Sequence, residues 1–317
     1  MREALLKPEC CPRRRWGKSG IEIPVIPFGT QGFGNHFGPV SDDDAKALIR
    51  RAVDLGVNHF DSARCYGDSL RKLGLAITDG VIKRDEVIIS GRLCCHSAAK
   101  WGGYGEGDPD YSAERAKADV NNQLEILGTD HFDAMLIHDP MAIEPTLASG
   151  GCLDGIKALK EEGLIRNVGY GMNPHPFHQK AIEEGDIDVL LTFTDYNLLR
   201  QSAAEDILPS ATERDIGIIN GWSIMRGYLT GVPVEERVPR DKWQPGGDQE
   251  RAENMRLWCA ERGISLLQLA LQFCLREDRI HGNPLGNLNI QQLEMNVSAV
   301  LSPLEDSVFE EFKASGL

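Results

Sequence analysis

The sequence predicts an α/β fold in which a parallel sheet closes on itself as a single (β/α)8 barrel. Three observations predict it. Apolar runs of strand length alternate with stretches of helical periodicity from residue 26 to residue 300. The alternation makes eight units, and strands separated by helices imply parallel pairing with the helices as cover. No linker rich in Pro, Gly or Ser divides the 317 residues, so one domain is expected, and a closed barrel is the economical solution at this length.

The elements follow in chain order. Residues 1–24 read as an N-terminal extension, in which Arg15-Trp16-Gly17-Lys18-Ser19-Gly20-Ile21 suits a hairpin across the barrel floor. The first strand is the apolar run VIPFG at 25–29, and the first helical pattern fills 42–55. VNHFD at 57–61 and EVIIS at 86–90 are the next two strands, with helices expected at 68–77 and 112–127. FDAMLIH at 132–138 and IRNVGY at 165–170 precede helices at 153–162 and 176–184. DVLLTF at 188–193, IGIIN at 216–220 and IHGNPL at 280–285 precede helical patterns at 203–214, 249–262 and 289–300. Two inserts, 93–111 and 222–248, follow the third and seventh strands. Both therefore fall on the face where barrels of this kind build their sites. Their tryptophans, Trp101 and Trp243, are expected to serve substrate binding there.

Bulk properties narrow the function classes. Hydrophobic content of 41% and charged content of 26% are those of a globular protein. A formal net charge of −14 disfavours nucleic acids and anionic membranes as partners, since no basic patch offsets phosphate repulsion. No apolar run reaches the ~20 residues of a membrane span. The first twenty residues hold no apolar core of signal-peptide length, so export is not expected. The eight cysteines lack a disulfide-framework spacing, and a reducing cytoplasm is the expected setting. Oligomeric state is left open by the sequence.

The most informative stretch is 57–76, where an apolar strand ends in Asp61 and Tyr66-Gly67 follows in the next loop. A phenol held beside a buried acid suits carbonyl reduction, in which hydride enters at carbon and a proton must reach oxygen. The stretch resembles the aldo-keto reductase signature, Phe-Asp-Thr-Ala followed by Tyr-Gly and Leu-Gly. The resemblance continues through Leu127 to Pro140, with His138 at a strand end, and through Glu162 to Gly169. It includes Tyr196-Asn197-Leu198-Leu199, Arg226 to Gly231 and Gly286 to Asn296. Gly169-Tyr170-Gly171-Met172-Asn173 is most similar to the sugar and pyridoxal dehydrogenase branch.

The resemblance implies a TIM barrel and an active site of Asp, Tyr, Lys and His. Asp61, Tyr66 and His138 match three of these positions. At the third, the strand reads Ser90-Gly91-Arg92-Leu93, so Arg92 stands where the family has lysine. Arginine supplies the same charge and can pair with Asp61, but it stays protonated and cannot join a proton relay. For the nicotinamide cofactor, the resemblance points to Gly29, Thr30 and Gln31 after the first strand and to Asn173 for the carboxamide. Trp222, Ser223 and Arg226 lie near the closing loop, and Gly286, Gln292 and Asn296 at the adenine end. Family members that choose NADP usually carry Lys or Arg before this last helix. Asn287, Leu288, Asn289 and Ile290 carry no charge, so NAD(H) is favoured and NADP(H) is the alternative. Arg226, Arg276 or Arg279 could reach a 2′-phosphate from elsewhere.

No metal site is expected. Cys94-Cys95-His96 at a strand end reads as buried small hydrophobes, because adjacent cysteines rarely ligate one ion. His175 and His178 read as a loop and a helix start. The leading function is hydride transfer between nicotinamide and a small-molecule carbonyl, lactol or sugar-like alcohol. The alternatives are a cofactor-binding regulatory protein on the same fold, or a non-redox isomerase or lyase.

Overall fold

The structure, a computed structural model, describes residues 10–94, 109–233 and 247–317. Trp101, Trp243, Cys95 and His96 lie outside the described residues. An antiparallel hairpin opens the described chain: β1, Arg13–Arg15, pairs with β2, Glu22–Pro24. Then come β3, Phe28–Gly29; α1, Asp42–Asp54; β4, His59–Asp61; and α2, Ser69–Thr78. Next are β5, Ile88–Leu93; α3, Ala113–Leu127; β6, Ala134–His138; α4, Glu144–Leu147; and α5, Cys152–Glu161. β7, Val168–Gly171; α6, His175–Glu184; and β8, Val189–Phe193 follow. α7, Ala203–Asp206; α8, Leu208–Glu213; β9, Gly217–Gly221; and α9, Asp248–Glu261 come after them. The chain ends with α10, Leu266–Leu275; β10, Leu285–Gly286; α11, Ile290–Leu301; and α12, Asp306–Ser315.

Eight strands form one parallel sheet in the order β10-β3-β4-β5-β6-β7-β8-β9. The ring closes between β9 and the segment before β10: Ile219 bridges Gly282, the Asn220 N–H donates to the Gly282 carbonyl at 2.8 Å, and the His281 N–H donates to Ile218 at 3.0 Å. The barrel predicted from the alternation is therefore the barrel observed.

Strand side chains alternate between two cores, as the pleat requires. Phe60, Ile89, Met135, Ile137, Tyr170, Leu190 and Ile218 face outward into the cluster shared with the helices. Ile88, Ala134, Leu136, Val189, Leu191 and Ile219 face inward, and with Trp16 and Ile23 they fill the barrel. The hairpin expected around residues 15–21 forms and drives Trp16, with 0% exposure, into the floor. Gly217 leaves the room for it, since a Cβ there would meet the indole ring and the Trp16 carbonyl.

Three expectations about helices need correction. The pattern at 203–214 is two helices, broken at Ile207 (φ −115°, ψ −49°) just before Pro209, whose ring cannot continue the preceding turn. α10 was not expected, because LLQLALQFCL is apolar on nearly every side and shows no stripe to read. α12 also lies beyond the predicted elements.

Candidate active site

The strand parity that fills the barrel also builds the site. Asp61 pairs in register with Ser90, so both point inward, and Arg92 points the same way one layer higher. Arg92 pairs with Leu136, and His138, two residues on, pairs with Gly171. Asp61, Arg92 and His138 thus converge at the C-terminal mouth for one reason: the pleat period is two. Tyr66 joins them from the turn after β4, its ring edge-on to His138 with centroids 5.9 Å apart.

Arg92 and Asp61 form a buried ion pair. One terminal nitrogen, Nη2, donates to both carboxylate oxygens at 2.8 and 2.7 Å. Arg92 is 2% exposed. Burial works against its charge, but Asp61, and after it Tyr66, more than offset this and hold its pKa above the usual range. The other terminal nitrogen, Nη1, lies where a Cβ on Gly171 would stand. Glycine at 171 is therefore what admits an arginine here. Sequence reading noted Gly171 only as part of a motif; nothing in one sequence ties it to a residue on β5.

Tyr66 is half-buried. Burial raises its pKa well above the ordinary phenol value, Arg92 pulls it down, and Asp61 with the thiols of Cys65 and Cys94 pushes it up. The hydroxyl is thus neutral at physiological pH, the state a proton donor requires. His138 is buried. Its Nδ1 faces the Cys65 sulfur at 3.3 Å and the Cys94 sulfur at 3.6 Å, and its Nε2 lies 3.5 Å from the Asp139 carboxylate. Burial lowers its pKa, but Cys65 and then Asp139 outweigh that and the net displacement is upward.

The sequence-named cofactor residues occupy an arc of the same rim. Gly29 and Gly286 are neighbours in register at the ends of β3 and β10, where neither carries a side chain to obstruct an approaching group. Thr30 is buried, and its hydroxyl donates to the Asp61 carbonyl at 3.1 Å; Gln31 beside it is half-buried. Asn173 donates its amide to the Phe193 carbonyl at 2.8 Å, to Thr194 Oγ1 at 2.9 Å and to Asp195 at 3.1 Å. Trp222 has a left-handed backbone (φ 60°), its ring 5.3 Å from that of Phe193 and the Arg226 guanidinium 4.6 Å over it. Ser223 is fully buried, with a hydroxyl that has no hydrogen-bond partner. An orphaned buried hydroxyl of this kind marks Ser223 as a candidate to meet a polar group at this end of the barrel.

At the far end, Gln292 is exposed one helical turn before buried Asn296 on α11. The Gln292 side-chain oxygen accepts from the Leu288 N–H at 2.8 Å, and Asn296 donates to Asn287 at 2.8 Å. Asn289 caps α11 through the Gln292 N–H at 2.9 Å, so its side chain is engaged. Arg276 pairs with Asp306 at 2.8 Å and Arg279 with Glu277 at 2.7 Å.

Two further residues escaped sequence reading. Lys72 on α2 is 3% exposed, and its ammonium donates to the carbonyls of Phe33 at 2.8 Å and Val40 at 2.6 Å. It thereby clamps the loop that leaves Gly29, Thr30 and Gln31. Cys65 is the other: Cys94 is buried at the strand end as expected, and in addition its sulfur, that of Cys65 and the His138 Nδ1 lie together. His175 and His178 lie on the first turn of α6. They face different partners: His178 Nε2 reaches the Met172 carbonyl at 2.9 Å, and His175 reaches Asp206 at 2.7 Å.

Comparison with known proteins agrees with this architecture. The model of the aldo/keto reductase family matches residues 25–316. L-galactose dehydrogenase of Arabidopsis thaliana is 29% identical over 294 residues, covering 90% of this chain and 87% of the relative. D-threo-aldose 1-dehydrogenase of a Pseudomonas species is 26% identical, covering 88% of this chain and 89% of the relative. In fold, the chain is similar to an aldo-keto reductase from Bacillus halodurans in its holo form, with a TM-score of 0.78, 22% identity, and coverage of 94% of this chain and 93% of that one.

Proposed function

The chain belongs to the aldo/keto reductase family, and from that premise we propose that it moves hydride between a nicotinamide cofactor and the carbonyl or lactol carbon of a small, sugar-like substrate. The observation that carries the reading is the convergence of the Asp61–Arg92 ion pair, Tyr66 and His138 at one barrel mouth. The two curated relatives bear names of sugar dehydrogenases, which supports a polyhydroxylated substrate. The setting proposed is a reducing cytoplasm, where all described cysteines are free thiols. No helix among the described residues is long and apolar enough to cross a membrane.

The bound cofactor supplies the hydride donor or acceptor; the chain's own residues manage the proton. Tyr66, held neutral, gives its hydroxyl proton to the substrate oxygen in reduction and recovers it through the phenolate in oxidation. Arg92 takes the place of the family's lysine. Its fixed charge stabilises the phenolate, and it contributes no proton of its own. Asp61 holds the guanidinium in place through both carboxylate oxygens. His138, edge-on to the Tyr66 ring, orients the substrate oxygen. Gly29, Thr30, Gln31, Asn173, Ser223 and Gly286 would hold the nicotinamide half, and Gln292 and Asn296 the adenine.

NAD(H) is favoured over NADP(H). Asn287 to Ile290 carry no charge, and Arg276 and Arg279 are engaged by carboxylates. Arg226, over Trp222, is the remaining candidate for a 2′-phosphate. Calorimetric titration with both dinucleotides tests this. NADP binding tighter by tenfold, about 1.4 kcal/mol, would reverse the assignment.

Turnover is tested with a panel of aldoses and simple aldehydes. Tyr66→Phe keeps the ring and should lower kcat by a factor on the order of 100 or more, with dinucleotide affinity little changed. Retained turnover in that variant would move the proton transfer to another group. One observation favours a second reading, a cofactor-binding protein without turnover: both ring nitrogens of His138 already face protein groups. Dinucleotide binding with no turnover on any of the panel would select it.

A further inference from the structure

Among the described residues, the proton chemistry leaves the two thiols beside His138 without a role. Cys65 comes from the turn after β4, Cys94 from the end of β5, and His138 from the end of β6. Their ligating atoms all lie within 4.8 Å of one another. We propose that Cys65 Sγ, Cys94 Sγ and His138 Nδ1 form a binding site for a single thiophilic divalent cation, zinc above all.

Four features carry the proposal. The first is spacing. With Zn–S of about 2.3 Å and Zn–N of about 2.0 Å, a tetrahedral ion separates sulfur from nitrogen by about 3.5 Å. Here Nδ1 stands 3.3 Å from the Cys65 sulfur and 3.6 Å from the Cys94 sulfur, so those two edges of the polyhedron already exist.

The second feature is the outer shell. A ligating histidine ordinarily donates its other ring nitrogen to a carboxylate, which fixes the tautomer and orients the ring. His138 Nε2 lies 3.5 Å from Asp139, leaving Nδ1 as the lone-pair donor towards the sulfurs. The Cys94 backbone is anchored by its N–H to Asp119 at 3.3 Å, and Asp119 accepts from Gln123 at 3.0 Å.

Charge is the third. Two thiolates neutralise a divalent ion, so no net charge enters a mouth that already holds Arg92. The fourth is access. Cys94 and His138 are buried but Cys65 is half-buried, which leaves one ligand on the entry side. Three protein ligands leave a fourth position for water or a small molecule.

The site stands on geometry and shares His138 with the proposed redox site, so a bound cation would withdraw that imidazole from the substrate; its test therefore reads absorbance rather than turnover. The full chain is reduced, stripped with a chelator and titrated with Co²⁺. The expected result is one equivalent bound per chain, with the near-ultraviolet sulfur-to-cobalt charge-transfer band and the intense visible bands of a tetrahedral site. Zn²⁺, which ranks above Co²⁺ for such ligands, should then bleach both sets of bands. The Cys65→Ser/Cys94→Ser double variant, with its fold checked by circular dichroism and Tm, should show no charge-transfer band. Should the double variant not fold, Cys65→Ser alone, at the half-buried position, should show a clearly weakened band. Absence of the band in the wild type overturns the proposal and leaves a thiol–imidazole hydrogen-bond cluster. So does a band that persists unchanged in the variants.

Discussion

Arg92 and Gly171 are best understood as one feature written on two strands. An arginine at the end of β5 needs space that a lysine would not, and the missing Cβ of Gly171 provides it. Gly171→Ala should therefore act through Arg92, tilting the guanidinium off Asp61. The expected outcome is a loss of about 1–3 kcal/mol in stability from overpacking, together with a fall in kcat. Adding Arg92→Lys to Gly171→Ala should restore part of both, because the narrower ammonium clears the new methyl group. A double-mutant cycle measured by denaturant unfolding and steady-state kinetics checks this. Strict additivity would mean that the two residues do not sense each other. Arg92→Ala should be worse than either single change, since it leaves the Asp61 charge buried and unpaired, a defect of about 3–5 kcal/mol.

Two elements hold the barrel ends in place. At the mouth, Lys72 ties α2 to the loop that follows β3 through the carbonyls of Phe33 and Val40. Lys72→Met keeps the stem but leaves those carbonyls without a donor, at a cost of about 2 kcal/mol or more. Hydrogen exchange should then quicken across residues 30–41, and dinucleotide affinity should fall because Gly29, Thr30 and Gln31 begin that loop. Unchanged exchange there would show that the loop holds itself. At the floor, the β1–β2 hairpin plugs the barrel with Trp16, whose ring lies 5.2 Å from that of His59. Trp16→Ala should destabilise the protein by about 3–5 kcal/mol, read as a lower Tm, with little effect on KM because the hairpin lies opposite the site.

Across the whole molecule, two buried imidazoles set the response to acid. Desolvation by burial lowers the pKa of His59 and of His178 to about 4. A histidine kept neutral in the fold contributes stability above its unfolded pKa of about 6.5, and that contribution is lost as pH falls towards 4. Each is worth on the order of 3 kcal/mol by linkage. Asp119 acts in the opposite sense. Burial raises its pKa to about 6, so its contribution is present below the normal carboxylate range and fades as pH rises through 6. Two histidines outweigh one aspartate, and the net expectation is a steady loss of stability from pH 6.5 down to pH 4. Urea unfolding across that range tests it. His178→Asn, which keeps a donor for the Met172 carbonyl but does not titrate, should flatten the slope; an unchanged slope would place the acid sensitivity elsewhere.

The barrel was legible in the sequence because local patterning and turn position repeat eight times, and each repeat reports the same alternation of period two with period 3.6. Asp61, Tyr66 and His138 were named through their resemblance to the family signature, and the structure brings them to one mouth because Asp61 and His138 stand at inward-facing strand ends and Tyr66 lies in the turn after β4. What the sequence did not disclose depends on contacts between elements. α10 carries no stripe because it is buried on nearly all sides, and the 203–214 helix divides at a kink before Pro209. Gly171 matters only because Arg92 crosses to it from two strands away, and Lys72 only because a loop folds over it. Cys65, Cys94 and His138 are 73 residues apart at their widest and become neighbours only when β4, β5 and β6 lie side by side. Period and position are local properties of a chain, so sequence determines them; proximity across strands is created by closing the sheet, and only the tertiary structure decides it.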